Sequence, residues 1–332
     1  VSCWLKCHEP ACFLAALLNS QPMGFYAPSQ LVQDARRHGV AVRAVDVMHS
    51  HWDCTLEPAC SVRAEPFDKL RANGEGDLKG KYPAIAENQP AVRLGLRLVA
   101  GLPEAAALRL VQAREEAPFM STEDLVSRAR LGTLEINALA AADALLSLAG
   151  HRRQQVWEAA AIKSAPGLLR AVPIHEAPLL LPDTPEGENI LFDYKATGLT
   201  LRRHPLALLR DRLAGRGLLS ASELNALPNG RQVAGCGIVT VRQQPQTANG
   251  TIFVTLEDET GPVNVIVWKS LRETQRAELL HARLLAVFGV WQRSEESGTA
   301  PGFGAVRNLV AQRLEDLTPL LGRLGTSSRD FH

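Results

Sequence analysis

After Gly230 the chain leaves helical periodicity for strand alternation, and few folds satisfy the order that follows. The segments are "QVAGCGIVTVRQQ", "GTIFVTLEDETG", "PVNVIVWK", a helical "SLRETQRAELLHA", then "RLLAVFGVWQR" and "AVRNLVAQRLEDL". Five strands with one helix between the third and fourth is the order of an OB barrel. In "FVTLEDETGPVNVIVW" Phe253, Thr255 and Leu256 alternate faces, Glu257 to Gly261 make the hairpin, and Val263, Val265 and Val267 alternate into the next strand. Carboxylates and glycine are common turn formers and no second acidic pair accompanies them, so Glu257, Asp258 and Glu259 read as a turn and not as a metal site.

OB barrels take single strands across their second and third strands and adjoining loops, stacking bases on aromatic rings and pairing phosphates with Arg or Lys. The residues in matching places are Arg242, Gln243, Asn249, Phe253, Trp268, Lys269 and Arg293. Core packing is the alternative for Phe253 and Trp268. Residues 231–317 hold nine Lys/Arg against nine Asp/Glu, which predicts modest, salt-dependent affinity.

Upstream the periodicity is helical. Apolar residues at Trp4, Leu5, Phe13, Leu14, Leu17 and Leu18 suit helix, with Pro10 kinking it or starting a second one. Pro28 suits a first helical position, and Gly39 a C-terminal cap before the strand-like "VAVRAV". Residues 65–90 lose periodicity in favour of Gly, Asn, Pro and charge, the profile of a loop or disordered insert. From 91 to 163 two similar units follow, "LVAGLPEAAALRLVQA" and "RARLGTLEINALAAADAL". Each has an apolar lead-in, a tight Gly turn and an Ala/Leu-rich helix, which makes them tandem helix-hairpin-helix candidates. Such a turn aims backbone N–H groups at a phosphate without needing basic side chains. Gly101, Leu102 and Pro103 are the duplex-phosphate candidates; the second turn, Leu131 to Leu134, is the weaker copy. Residues 164–230 read as a Pro-rich connector with a basic helical segment, and 318–332 as a tail.

The opening "CWLKCHEPAC" invites a zinc reading, but its spacing is not that of a knuckle and no second pair matches it, so a cysteine-rich helix is the expectation. With 36 Lys/Arg against 35 Asp/Glu, any affinity for nucleic acid must come from local patches. No stretch predicts a membrane span or a signal peptide, six scattered cysteines predict reduced thiols, and the chain reads as cytoplasmic. Helix-like sequence from the first residue suggests a start inside a domain.

The fold class expected is α+β and multidomain. The segments "WLKCHEPACFLAALLNSQPMGFYAPSQLVQDARRHGVAVRAVDV", "RLGLRLVAGL", "LAAADAL", "GLTLRRHPLALLR", "FVTLEDETGPVNVIVW", "RLEDL" and "SRDFH" resemble the C-terminal part of bacterial C-family DNA polymerases. Within them the chain looks most like the error-prone, damage-induced paralogue of the replicative polymerase III alpha subunit. The resemblance implies a helical end of the fingers domain over 1–60, a tandem helix-hairpin-helix domain over 91–163 that holds duplex, and a five-stranded OB barrel over 231–317 that handles single-stranded template. It places catalysis in a palm domain whose paired aspartates bind Mg2+. No Asp-x-Asp pair occurs in these 332 residues, so the chain alone is expected to be inactive and to carry no cofactor. The implied partners are primer-template and single-stranded DNA, with an accessory translesion protein linking to the sliding clamp; Asn189 to Phe192 only faintly suggests a clamp peptide. Departures from the family pattern are the 65–90 insert, the loop "TANG" where a basic residue would help, and the long "SEESGTAPGFGAVRN". The rival readings are a stand-alone DNA-binding or scaffold module and a decayed fragment.

Overall fold

In the computed structural model the described residues are 2–23, 26–58, 89–162, 181–245, 250–294, 306–322 and 329–331. The 65–88 part of the expected insert, Cys60, Asn249 and the 295–305 loop lie outside them. The chain divides into two compact units, Val1–Leu201 and Arg202–His332.

The first unit begins with α1 (Ser2–His8), α2 (Pro10–Asn19) and α3 (Pro28–Arg37). Proline opens both α2 and α3, where its missing N–H costs no helical bond. Helix α3 ends as expected, with Gly39 at φ +83°, a backbone region that side chains avoid. Short strands β1 (Val42–Arg43), β2 (Thr55–Glu57) and β3 (Ala91–Arg93) form one sheet in which β3 lies in the middle. Residues 39–58 and those after 88 are therefore one folded piece. Burial pulls the Glu57 carboxyl upward, but the guanidiniums of Arg93 and Arg43 outweigh it and hold it below the usual carboxylate range.

Helices α4 (Glu104–Glu116), α5 (Thr122–Ala129), α6 (Thr133–Ala141), α7 (Leu146–Ala149) and α8 (Arg152–Ala161) follow, then α9 (Glu186–Thr197). A single apolar core runs through Leu14 and Leu18 of α2, Val92, Leu110, Leu125 and Leu139, and on to Ala196 and Leu199. The expected fingers end and hairpin region thus share one core, and the helix placed in the connector belongs to it. Asn189 and Ile190 of the clamp-peptide segment are buried, whereas its Phe192 is 42% exposed.

The second unit opens with α10 (Arg210–Ala214) and α11 (Ala221–Ala226), the latter under a capping box in which Ser220 and Glu223 exchange bonds. The strands are β4 (Gln232–Gln243), β5 (Ile252–Glu257), β6 (Pro262–Val267), β7 (Leu284–Ser294) and β8 (Val306–Asp316). Helices α12 (Lys269–Thr274) and α13 (Arg276–His281) sit between β6 and β7, two short helices where one was expected. The ladder runs β5-β6-β8-β7-β4 and returns to β5, closing the five-stranded barrel. Strand β9 (Arg329–Phe331) joins the last residues of β4 in parallel, whereas a plain tail was expected there. Closure needs a bulge between Phe288 and Gly289, and a Cβ at Gly289 would lie 1.9 Å from the Val310 carbonyl oxygen.

The opening cysteine question resolves as helix: Cys3 and Cys7 are exposed on α1. Among the described residues no three His, Cys, Asp or Glu side chains are grouped to hold a metal. Burial raises the Cys54 thiol pKa and pushes Cys236 up to about 12 even though Arg210 opposes it. At pH 8 iodoacetamide is expected to label Cys3 and Cys7 and to spare Cys54 and Cys236, as read by peptide mass mapping. Fast labelling of Cys236 in the folded chain would contradict the burial.

Candidate nucleic-acid interface

The outer surface of the barrel is where sequence and structure meet. Across the sheet Gln243 pairs with Phe253, and Phe253 with Ile266, so the three share one face. Their inward neighbours Val254, Val265 and Val267 are buried in the barrel core. Alternation therefore turns Phe253 outward at 38% exposure, and Trp268, just past β6, is 51% exposed. The core-packing alternative for these two rings does not hold. Lys269 is exposed beside Trp268, where its ion pair with Glu273 spans 3.9 Å at the solvent surface and holds it weakly.

Arg272, which the sequence reading passed over, completes this corner. Its Nη1 donates to the Gly250 carbonyl at 3.2 Å and ties the end of the first barrel loop to α12. Its only sequence signal was its place three residues after Lys269, on the same helix side.

Two of the expected single-strand residues stand elsewhere. Arg242 is only 6% exposed; its Nε donates to the Leu279 carbonyl at 2.7 Å and its Nη2 to the Ala282 carbonyl, clamping α13 to the barrel. The carbonyls at a helix C-terminus lack helical donors, and a guanidinium supplies them, so Arg242 is an anchor and not a strand contact. Arg293 is exposed at the far end of β7, away from Phe253. Arg307, opposite it, lies level with Val263 because β8 runs parallel to β6 with Leu309 against Val265. Five residues from Val263 to Trp268 make that separation about 17 Å at ~3.3 Å per residue.

In the first hairpin Gly101 takes φ +81° with open space where a Cβ would sit. The other two candidates change role. Leu102 is buried and its N–H donates to the Val99 carbonyl at 3.3 Å, while Pro103 has no N–H and serves as the N-cap of α4. The donors left for an anion are the N–H of Gly101 and the first-turn amides of Glu104 and Ala105, which no helical carbonyl can reach. The second hairpin has a physical reason to be weaker. The Glu135 carboxylate accepts the Gly132 N–H at 2.6 Å and pairs with Arg109, so a negative group of the chain's own already occupies the α6 N-terminus.

The acidic turn does not fit Mg2+. Asp258 Oδ1 accepts from the N–H groups of Thr260 and Gly261 and from Thr260 Oγ, while Oδ2 accepts from Ala221 N–H and Arg210. Glu259 is also paired with Arg210. Both carboxylates are spent on internal donors, which agrees with the turn reading.

A family model described as a helix-hairpin-helix motif matches residues 39–155, and one described as an OB-fold nucleic acid binding domain matches 233–317. The first starts at residue 39, in keeping with the pairing of β1 to β3. Curated proteins called error-prone DNA polymerase match the whole chain: 53% identity for that of Ralstonia pickettii, 52% for that of Bordetella parapertussis and 50% for that of Methylococcus capsulatus. The chain spans 28%, 29% and 30% of their respective lengths. With its helix-hairpin-helix and OB-fold regions in the order found above, and identity sustained from end to end, the chain belongs to the error-prone DNA polymerase family, of whose members it spans a little over a quarter.

Proposed function

We infer that this chain handles DNA for an error-prone polymerase that copies damaged template in the cytoplasm. The first hairpin holds the duplex backbone, and the outer barrel face receives single-stranded template. Nucleotidyl transfer and its Mg2+ belong to parts of the protein outside these residues, and contact with the sliding clamp runs through an accessory partner. The observation that carries the reading is the exposed pair Phe253 and Trp268, flanked by Gln243 and Lys269, on the outer face of a closed barrel. Two large rings left in water cost the fold burial energy, and stacking on bases would recover it.

Fluorescence anisotropy with a labelled oligonucleotide tests this. Trp268→Ala is expected to weaken single-strand binding by about 1–3 kcal/mol, roughly 5- to 150-fold, with binding of blunt duplex retained. Absence of binding to either DNA at low salt would sink the proposal.

A further inference from the structure

One seam of the barrel is closed by a side chain where a strand runs out. Strand β6 stops at Val267, level with Ala311, and it meets β8 only at Val265 with Leu309 and Ile266 with Val310. Strand β8 runs on to Asp316, and among the described residues β7 is its strand partner there. Leu314 is 2% exposed, and a buried backbone N–H and C=O need partners that β6 no longer supplies. Gln275 provides both. Its Nε2 donates to the Leu314 carbonyl at 2.9 Å, and the Leu314 N–H donates to its Oε1 at 2.7 Å. One side-chain amide thus stands in for a residue of the missing strand.

Gln275 is also the joint between two helices. It closes α12, its N–H donating to the Leu271 carbonyl at 2.8 Å, and opens α13, whose Leu279 N–H donates to its carbonyl at 3.1 Å. Helix α13 is fixed by other means, because Leu279 is buried and Arg242 grips the carbonyls at its end. Helix α12 has no such hold. None of its six residues is buried, and its one apolar residue, Leu271, is only partly covered by the core. Less than two turns of helix is marginal in water without packing. What holds α12 is its covalent start at β6, the Arg272 bond to the Gly250 carbonyl, and Gln275 at its far end. Trp268 is the N-cap of this helix, and its carbonyl accepts the Arg272 N–H at 3.0 Å. The exposed ring therefore stands on an element kept in place by polar bonds and not by burial.

We propose that Gln275 is a positioning residue for the single-strand face: by pairing with β8 as a strand would, it fixes α12 and with it the Trp268 ring. This role rests on the barrel being a single-strand site, and Gln275 acts through Trp268 without touching DNA. At ~1.5 Å per residue it works from about 9 Å away, the length of α12. Methionine at this position keeps length and volume but cannot make the paired bonds, which leaves Arg272 as the polar tie of α12. The ring then samples several orientations, and apparent affinity falls with the fraction of them that can stack.

The test uses the full chain, each variant shown to be folded by circular dichroism, with a blunt duplex and with an oligothymidylate of about eight residues, within the ~4–16 that one OB barrel covers. Gln275→Met is expected to weaken the oligothymidylate by about fivefold or more, the low end of what one stacked base contributes, with the duplex unaffected. The slope of log K against log salt should stay, because Lys269 keeps its charge. In a Trp268→Ala background Gln275→Met should cost less than about twofold more, since the ring through which it acts is gone. The Arg272 amide, bonded to the Trp268 carbonyl, should exchange its hydrogen faster in Gln275→Met. Gln275→Asn, one methylene short of Leu314, carries the same comparison if Gln275→Met unfolds. Unchanged oligothymidylate affinity in a folded variant, with Trp268→Ala still weakening it, overturns the role and leaves the barrel reading intact. Losses that multiply with those of Trp268→Ala place the action of Gln275 elsewhere and likewise overturn it. Failure of the wild type to bind the oligothymidylate removes the barrel reading and this role together.

Discussion

Arg152→Ala is expected to cost the first unit about 3–5 kcal/mol, the range for stranding a buried ion pair's partner. Arg152 lies on α8 at 2% exposure, and its Nη1 donates to the Asn189 carbonyl at 2.7 Å and to Asn189 Oδ1 at 3.1 Å. Its Nη2 pairs with Asp193 of α9 and lies 3.7 Å from Asp143. Without the guanidinium, Asp193 and Asp143 lose the cation they share, while Thr200 Oγ still donates to Asp193 and Gln155 to Asp143. The loss should also reach the first hairpin, because the carbonyl of Ala196, late in α9, accepts the Ala100 N–H at 2.7 Å beside Gly101. Thermal unfolding of the full chain should show the first unit's midpoint falling by roughly 6–20 °C, from ~2–4 °C per kcal/mol at this size. Arg152→Met separates charge from packing. It restores volume yet removes the same cation from both carboxylates, so it should lose nearly as much; recovery of most of the stability would show that packing and not charge holds α9.

What could be read in advance follows from what periodicity reports. Alternation states which residues of a strand share a side, so the barrel order was legible from the segments after Gly230, while the side that Phe253 takes was settled only by Val254, Val265 and Val267 packing inside. Pro28 and Gly39 were legible for a similar reason, since each acts through its own backbone. Arg242 was misplaced because its burial depends on carbonyls at 279 and 282, which reach it only after α13 has folded across the barrel end. Helix α9 was put in a connector because nothing local states that Ala196 and Leu199 join a core begun at Ala11. Leu102 and Pro103 were chosen as a motif, but a hairpin needs one residue to anchor it and one to start its helix, and they do those tasks. Arg293 was legible as a candidate, but that Arg307 stands opposite it follows only from the register of β7 against β8, bulge included.

Asp258→Ala is expected to be the most damaging change in the second unit, at about 3–5 kcal/mol, because one carboxylate there does two jobs. Through Oδ1 it closes the turn between β5 and β6, accepting from Thr260 N–H and Oγ at 2.7 Å each and from Gly261 N–H at 2.9 Å. Through Oδ2 it accepts the Ala221 N–H at 2.7 Å, an orphan donor at the start of α11, and pairs with Arg210. It is 2% exposed, so water cannot replace it. Helix α11 contributes Ala221 and Leu224 to the barrel core, and Leu224 already leaves no room for a Cβ at Gly235. Losing the α11 anchor therefore opens the barrel end as well as the turn. Asp258→Asn should divide the two jobs: its amide oxygen can keep the turn, while its NH2 group faces two donors and fails α11. An intermediate loss is expected, with the turn amides of Thr260 and Gly261 still protected and faster hydrogen exchange at Leu224 in α11. Equal losses for Asn and Ala would mean that the turn contributes little and the anchor nearly all. A loss below about 1 kcal/mol for Ala would show that Glu259, which pairs with Arg210 on its own, holds the segment without Asp258.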